Sequence, residues 1–312
     1  MDKKKSIKLA VKVLISLFFV WWIIYKVDWS EVGGYLSGIN LFWVSVYIFL
    51  YLLGMLVSAY KWKILALHKG IKLSLKEFYK AYFSATFVNN FMPSFVGGDS
   101  FKVYRIGKLS GNFKGAVSSV IMDRLTGLLG GMVLVVFFAL LNFDFFLQNN
   151  ILLLLSGLSL GGLIGLFVFL EFFRKRKIKT PLKKIDKGLN RVIEEINHYN
   201  GEEKIILKVV GWSFLFNLIG LAGANGVLFL ALGIKIGVLD YLSVIFLASV
   251  VATVPISINN IGVKEWAYIT FFGFFGLSAG AVVSVAITSR IIQMLLSFIA
   301  WPIYLQEKEK NN

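Results

Sequence analysis

Asn89-Asn90-Phe91-Met92-Pro93-Ser94-Phe95-Val96-Gly97-Gly98-Asp99 breaks an apolar stretch that covers residues 78–98, and the form of the break decides how the whole chain is read. Proline ends the descending helix, because it lacks an amide donor and clashes with the preceding turn. The glycines let the backbone turn tightly and approach a neighbour. A second apolar stretch, residues 241–276, is interrupted in the same manner by Pro255, Asn259-Asn260 and Gly262, with Glu265 following. Broken helices of this kind are tolerated inside a membrane only where protein or a wet cavity satisfies the freed backbone groups.

Composition places both breaks in a membrane. Of the 312 residues, 57% are hydrophobic and only 16% are charged, and the mean hydropathy is +0.75. A soluble protein carries about 25% charged residues, so this chain is too apolar to cover a water-facing surface. There is no cysteine and there are only two histidines, His68 and His198. Thiol nucleophiles, disulfides and iron–sulfur clusters are thereby excluded, along with nearly every zinc constellation. No acid-rich run supports another metal, and the reading takes neither a metal nor a cofactor. The net charge of +16 reads as cytoplasmic loops facing anionic lipid, not as a nucleic-acid surface.

Six further stretches approach the roughly 20 apolar residues that a bilayer requires: 9–26, 41–60, 116–141, 151–173, 209–232 and 279–305. The first follows Lys3-Lys4-Lys5 and is read as a retained helix with Lys12 snorkelling toward the headgroups. Basic residues flank both sides of the first broken stretch, as Lys61, Lys63, Lys69, Lys72 and Lys76 before it and Lys102, Arg105, Lys108 and Lys114 after it. Residues 27–40 and 142–150 contain neither Lys nor Arg. The positive-inside rule therefore puts both ends of the first broken stretch in the cytoplasm, so that it enters and returns as a re-entrant hairpin. By the same count the second broken stretch begins and ends outside, and both termini are cytoplasmic in the cell membrane.

The expected architecture is all-α and integral to the membrane, with six spanning helices plus two re-entrant broken-helix hairpins arranged as an inverted-topology repeat. One polytopic domain covers 1–312. Its first half is 1–145 and its second 146–306, with a basic cytoplasmic loop over 174–208. Within that loop, residues 180–201 suit an amphipathic helix lying on the anionic inner leaflet. Gly157, Gly161 and Gly165 read as close helix packing, and Asn217 and Asn225 either line the same cavity as the intramembrane charges or bond a neighbouring helix, the second being favoured.

Ionisable residues at membrane depth are costly and point to function. The candidates are Asp99, Arg105, Asp123, Arg124, Lys264, Glu265 and Arg290, and an arginine lies 25 residues beyond each acid, Arg124 after Asp99 and Arg290 after Glu265. Asp99 is expected to cap the helix after the first break, and Glu265 to occupy the first turn after the second. A helix N-terminus suits an anion and a guanidinium binds phosphate in bidentate fashion. The candidate substrate-binding set is Asn90, Pro93, Gly97, Gly98, Asp99, Arg105, Asp123, Arg124, Pro255, Asn260, Gly262, Glu265 and Arg290. A cross-half ion pair, Glu265 with Arg124 or Asp99 with Arg290, is expected to clamp the two halves. Asp123 and Arg124 are adjacent on a helix and point in different directions.

Residues 90–105, the segment Asp123-Arg124-Leu125-Thr126-Gly127-Leu128-Leu129, and residues 255–265 together resemble the lysylphosphatidylglycerol synthase transmembrane region, also called the flippase-like family. The resemblance covers about residues 8–305. It implies a membrane domain that in some relatives moves an aminoacylated phospholipid between leaflets and in others accompanies glycosyltransferases acting on lipid-linked sugars. The full-length synthase carries a soluble aminoacyl-transferase domain, whereas this sequence stops at Asn312, so the lysyltransferase chemistry is not carried over.

The leading expectation is a lipid translocase for a phospholipid or a polyprenyl-phosphate-linked lipid, working by alternating access. Its phosphate would be held by Arg124, Arg290 and the half-helix N-termini, and Asp99 or Glu265 would couple a proton. The alternatives are a membrane transferase of the phosphatidylglycerol lysyltransferase type with Asp99 or Glu265 as general base, and a scaffold for a separately encoded synthase or glycosyltransferase docked on 174–208.

Overall fold

The computed structural model describes residues 3–91, 96–173, 190, 202–254, 256–257 and 260–301. Among these, every regular element is a helix. The order is α1 (Lys3–Lys26), α2 (Trp29–Ser37), α3 (Leu41–His68), α4 (Leu75–Phe91), α5 (Val96–Ser110), α6 (Phe113–Leu141), α7 (Phe143–Gln148) and α8 (Asn150–Phe173). It continues with α9 (Glu203–Phe216), a π-helical turn (Asn217–Gly223), α10 (Ala224–Ala231), α11 (Val238–Ala252), α12 (Val263–Gly273) and α13 (Ala279–Phe298).

Local chemistry sets the ends. Asn40 caps α3 by accepting from the Phe42 amide at 3.0 Å, and Gly70 at φ 79° ends it in a left-handed turn. Asn112 caps α6 by accepting from Gly115 N–H at 2.8 Å, and its amide nitrogen reaches across to Lys69 O at 2.9 Å. One side chain thus starts one helix and fastens the end of another. Ser278 caps α13 through Ala281 N–H at 3.1 Å, and its hydroxyl also donates to Glu31 on α2.

The protein is an all-α integral membrane protein. Among the described residues five helical stretches are long and apolar enough to cross a bilayer, and α1 with α2, bent by 82° at their junction, counts as a sixth if the pair forms one span. Side chains such as Leu14, Leu17, Phe18 and Trp21 on α1 and Leu154, Leu158 and Phe167 on α8 are exposed, as a lipid-facing surface requires. The two interrupted stretches form shorter helices that pack side by side, α4 on α5 and α11 on α12. They have 17, 15, 15 and 11 residues, and at 1.5 Å per residue the shortest extends about 16 Å, half a hydrocarbon core. The sequence of long helix, broken pair and long helix therefore occurs twice, as α3, α4–α5, α6 and as α9–α10, α11–α12, α13.

The main apolar core lies between these two sets, with Tyr47, Val135, Leu228, Phe246, Phe272 and Val283 all buried. A second cluster seats the first hairpin, where Phe78, Ala81 and Ile106 meet Trp62, Ala116 and Val120. One close crossing between the halves is glycine on glycine. A Cβ on Gly54 of α3 would stand 2.5 Å from Gly220 Cα in the π-helical turn, so the two backbones touch without side chains between them. At the start of the π-helical turn, Asn217 Nδ2 donates to Ser213 O at 2.9 Å within the same helix.

Three boundary and packing expectations change. Helix α9 begins at Glu203, so residues 203–208 belong to a helix and not to the basic loop; the rest of that loop, with the amphipathic segment, lies outside the described residues apart from Asn190. Gly157, Gly161 and Gly165 do not mediate close packing: among the described residues nothing lies within 4 Å of a Cβ built on any of them. Their spacing puts them on an outer face of α8, and it is Gly162, whose Cβ would meet Met132 Cε at 2.6 Å, that faces a helix. Finally, α13 ends in a turn after Phe298, and residues 302–305 of the expected span lie outside the described residues.

Leucine at Gly54 or Gly220 should overpack the crossing and cost about 1–3 kcal/mol, whereas alanine at Gly161 should cost little. Thermal unfolding of the detergent-purified variants, followed by size-exclusion fluorescence, checks this ordering.

Candidate substrate site

The first hairpin is held by its own polar groups. Gly98 N–H at the start of α5 donates to Asn89 Oδ1 on α4 at 2.8 Å, so one arm of the hairpin caps the other. A Cβ on Gly98 would lie 2.8 Å from Ala85 O, which is why a glycine stands there. Asp99 sits in the first turn of α5, beside Gly97. It accepts from Arg124 Nε at 2.8 Å and lies 3.0 Å from Lys102 Nζ. Asp123, on α6, is buried deeper. Lys61 Nζ is 3.0 Å from its carboxylate and Lys102 Nζ 3.8 Å, while the Tyr82 hydroxyl donates to it at 3.3 Å. Arg105 reaches back to Glu77 on α4 at 2.9 Å.

The second hairpin repeats part of this design. Asn260 takes φ 55° and Gly262 φ 84°, a left-handed pair that turns the chain into α12. A Cβ on Gly262 would collide with Phe19 of α1, 2.2 Å from its Cβ. Glu265 Oε2 accepts from Gly262 N–H at 2.8 Å, closing the helix start. Its other oxygen accepts from Arg290 of α13 through Nη2 at 2.8 Å and Nε at 3.2 Å. Lys264 Nζ has no carboxylate within ion-pair reach among the described residues. It donates to Ser289 Oγ at 2.9 Å and stands 5.3 Å from the centre of the Tyr268 ring.

Between the hairpins lies a cavity of about 210 Å³. The first half lines it with Tyr51, Thr86, Asn89 and Asn90; the second lines it with Asn260, Lys264, Arg290, Gln293 and Met294. Among the described residues two cations face it and no carboxylate does. Glu265 balances Arg290 from behind, which leaves the wall with one uncompensated positive charge at Lys264.

Of the predicted site residues, Asn90, Asn260 and Arg290 line this cavity, and Gly262 and Glu265 support its wall. Asp99, Arg105, Asp123 and Arg124 form the separate cluster around α5, with Gly97 and Gly98 at its helix start. Pro93 and Pro255 lie outside the described residues. The expected cross-half clamp is replaced by two pairs inside the halves, Asp99 with Arg124 and Glu265 with Arg290. Each acid heads a short helix that packs beside its own half's last long helix, so the partner 25 residues on is the one within reach. Nor does Asp99 cap α5, since its carboxylate is spent on Lys102 and Arg124 and Asn89 does the capping.

Asp123 and Arg124 diverge as expected, one side chain 2% exposed and the other 53%. Asn225 bonds a neighbouring helix, accepting from the Tyr268 hydroxyl at 3.2 Å, whereas the amide nitrogen of Asn217 turns to its own helix. Sequence reasoning missed Tyr51, Thr86, Gln293 and Met294, and it counted Lys61 and Lys102 only as topological markers. Both lysines are buried. Lys61 directly follows the uncharged run 41–60 of its helix, and that position was the available signal.

Half-length helices at membrane depth, each fixed by an internal acid–arginine pair beside a cationic cavity, define a polytopic protein built around a polar intramembrane site. The chain belongs to the family described as the Lysylphosphatidylglycerol synthase TM region, which matches residues 9–300. Membership ties the protein to membrane lipids. No curated protein and no solved structure gives a significant match to the chain.

Removing one partner of a buried ion pair strands the other. Asp123→Leu should therefore destabilise the protein by about 3 kcal/mol or more, and Lys61→Met added to it should return part of that loss. Thermal unfolding of the single and double variants reads the difference.

Proposed function

We propose that the protein is a lipid translocase that holds the phosphate of a phospholipid or lipid-linked carrier in the cavity between its two hairpins. The carrying observation is the charge of that wall, with Lys264 and Arg290 facing the space and no lining carboxylate among the described residues. A guanidinium and an ammonium supply N–H donors in the pattern a phosphate accepts. Met294, 48% exposed, also lines the cavity and gives it an apolar lip toward the lipid side.

The repeated order of long helix, broken pair and long helix, with matching acid–arginine pairs, supports two halves of inverted topology that rock against each other around the site. The positive-inside count supports a cell-membrane location with both termini cytoplasmic. In this reading Arg290 touches the ligand, while Arg124 fixes the first hairpin through Asp99. The transferase alternative lacks a free base among its two candidates, because Asp99 and Glu265 are both engaged by arginine. The scaffold alternative rests on 174–208, almost all of it outside the described residues.

Leaflet exchange of fluorescent phospholipids and of a polyprenyl phosphate in proteoliposomes tests the assignment. Wild type should accelerate exchange of at least one of these lipids, and Lys264→Gln and Arg290→Gln should each reduce it by tenfold or about that. Undiminished exchange in both folded variants would remove this cavity from the mechanism.

A further inference from the structure

One interval recurs along the chain. Asp99 and Glu265 lie 166 residues apart, and so do Arg124 and Arg290. The same interval leads from Asn112, which caps α6 by accepting from Gly115 N–H, to Ser278, which caps α13 by accepting from Ala281 N–H. It leads from the first residue of α6, Phe113, to the first residue of α13, Ala279. It also leads from Gly54 to Gly220. This last pair stands apart because its two members touch: a Cβ on Gly54 would be 2.5 Å from Gly220 Cα, and one on Gly220 would be 2.8 Å from Gly54 Cα.

Equivalent residues in backbone contact must straddle the two-fold axis that relates two inverted halves, because a rotation leaves in place only the points on its axis. Such an axis lies in the membrane plane. The position of the crossing suits it: Gly54 stands midway along the 28 residues of α3, and Gly220 within one turn of the middle of the span 204–231. The contacts to either side are exchanged in the same way. Toward one end Asn40 N–H donates to Ala231 O at 2.8 Å. Toward the other, their counterparts Ile206 and Leu65 share an apolar cluster. The outer helices are exchanged too, since α1 and α2 lie on α12 and α13 while α8 lies on α6.

We infer that the Gly54–Gly220 crossing is the fulcrum of the translocation movement, an inference that rests on the translocase reading above. A rotation that opens two bodies on one side of the membrane and closes them on the other has its axis in the membrane plane and in their interface. A two-fold axis through this crossing has both properties. Points on it stay still, so the two backbones keep their contact there with no side chain to repack, which glycine at both positions permits. Away from the axis the movement grows with distance. Asn40 and Leu65 lie 14 and 11 residues from Gly54, about 21 and 17 Å at the helical rise. A rotation of about 15° shifts each by roughly 4–5 Å, so the Asn40–Ala231 bond opens as the Leu65–Ile206 end tightens, and the reverse.

Thiol bridges test this, because the chain has no cysteine of its own. One double variant, Leu50→Cys with Gly223→Cys, sits beside the crossing, where a Cβ on Gly223 lies 3.8 Å from Leu50 Cδ1. Asn40→Cys with Ala231→Cys marks one end, and Leu65→Cys with Ile206→Cys the other. The exposed pairs Phe49 with Leu218, Phe42 with Leu230 and Leu67 with Leu207 repeat the three placements without disturbing buried contacts. Leaflet exchange of fluorescent phospholipids in proteoliposomes is measured before bridging with a short bis-methanethiosulfonate, after it, and after reduction. Exchange before bridging also shows that a variant is folded. A bridge at the crossing should leave exchange within about twofold, and one at either end should lower it at least about tenfold, with reduction restoring it. Exchange that survives an end bridge, or that is lost as fully on bridging the crossing, overturns the fulcrum and leaves the translocase reading intact. If neither wild type nor any unbridged variant exchanges a lipid, the translocase reading falls and this one falls with it.

Discussion

A helix that stops inside hydrocarbon leaves amide and carbonyl groups that water cannot reach, and each one unsatisfied costs several kcal/mol, about the worth of a large buried side chain. Everything specific about this protein is arranged around two such breaks. Asn89 takes up the Gly98 amide across the first hairpin, and Glu265 takes up the Gly262 amide at the second. The arms then need anchoring, and ion pairs to the next long helix provide it: Asp99 to Arg124 and Glu265 to Arg290.

Anchoring within each half has a mechanical consequence. Had the acids paired across the halves, every movement of one half against the other would have had to break a charge pair. With the pairs internal, each hairpin is fastened to its own last helix. The interface between halves holds apolar packing, the bare backbone crossing at Gly54 and Gly220, and hydrogen bonds such as Ser278 to Glu31, Asn90 to Ser297 and Gln293 to Tyr47. The cavity sits at this same interface.

The two hairpins are alike in plan, each with one cation more than it has carboxylates, and they differ in how those cations are engaged. Around the first, Lys61, Lys102 and Arg124 are matched against Asp99 and Asp123, and the deepest carboxylate is enclosed by two ammonium groups and a tyrosine hydroxyl. Around the second, the position before the arginine is Ser289 in place of an acid, so Lys264 has only a hydroxyl and a ring face. One carboxylate fewer turns a closed structural cluster into an open cationic wall. The cationic part of the cavity wall is thereby concentrated at the second hairpin, with the first supplying amides and hydroxyls opposite.

Hydrophobicity and breakers in the sequence by themselves determined that the chain is a helical membrane protein, where its helices break, and which acid and arginine belong to each break. Those features are local: a run of apolar residues, a glycine and a proline act within a few positions whatever surrounds them. The spacing shared by Asp99 with Arg124 and Glu265 with Arg290 was visible, but not which acid meets which arginine. That depends on how the short helices lie against α6 and α13, which no linear distance encodes. The burial of Lys61 and Lys102, the outward face of the α8 glycines and the lining role of Tyr51, Thr86 and Gln293 were likewise decided only by the tertiary structure. A cavity wall is assembled from helices far apart in the chain, and the hydrogen bonds that orient its side chains form only when those helices have met.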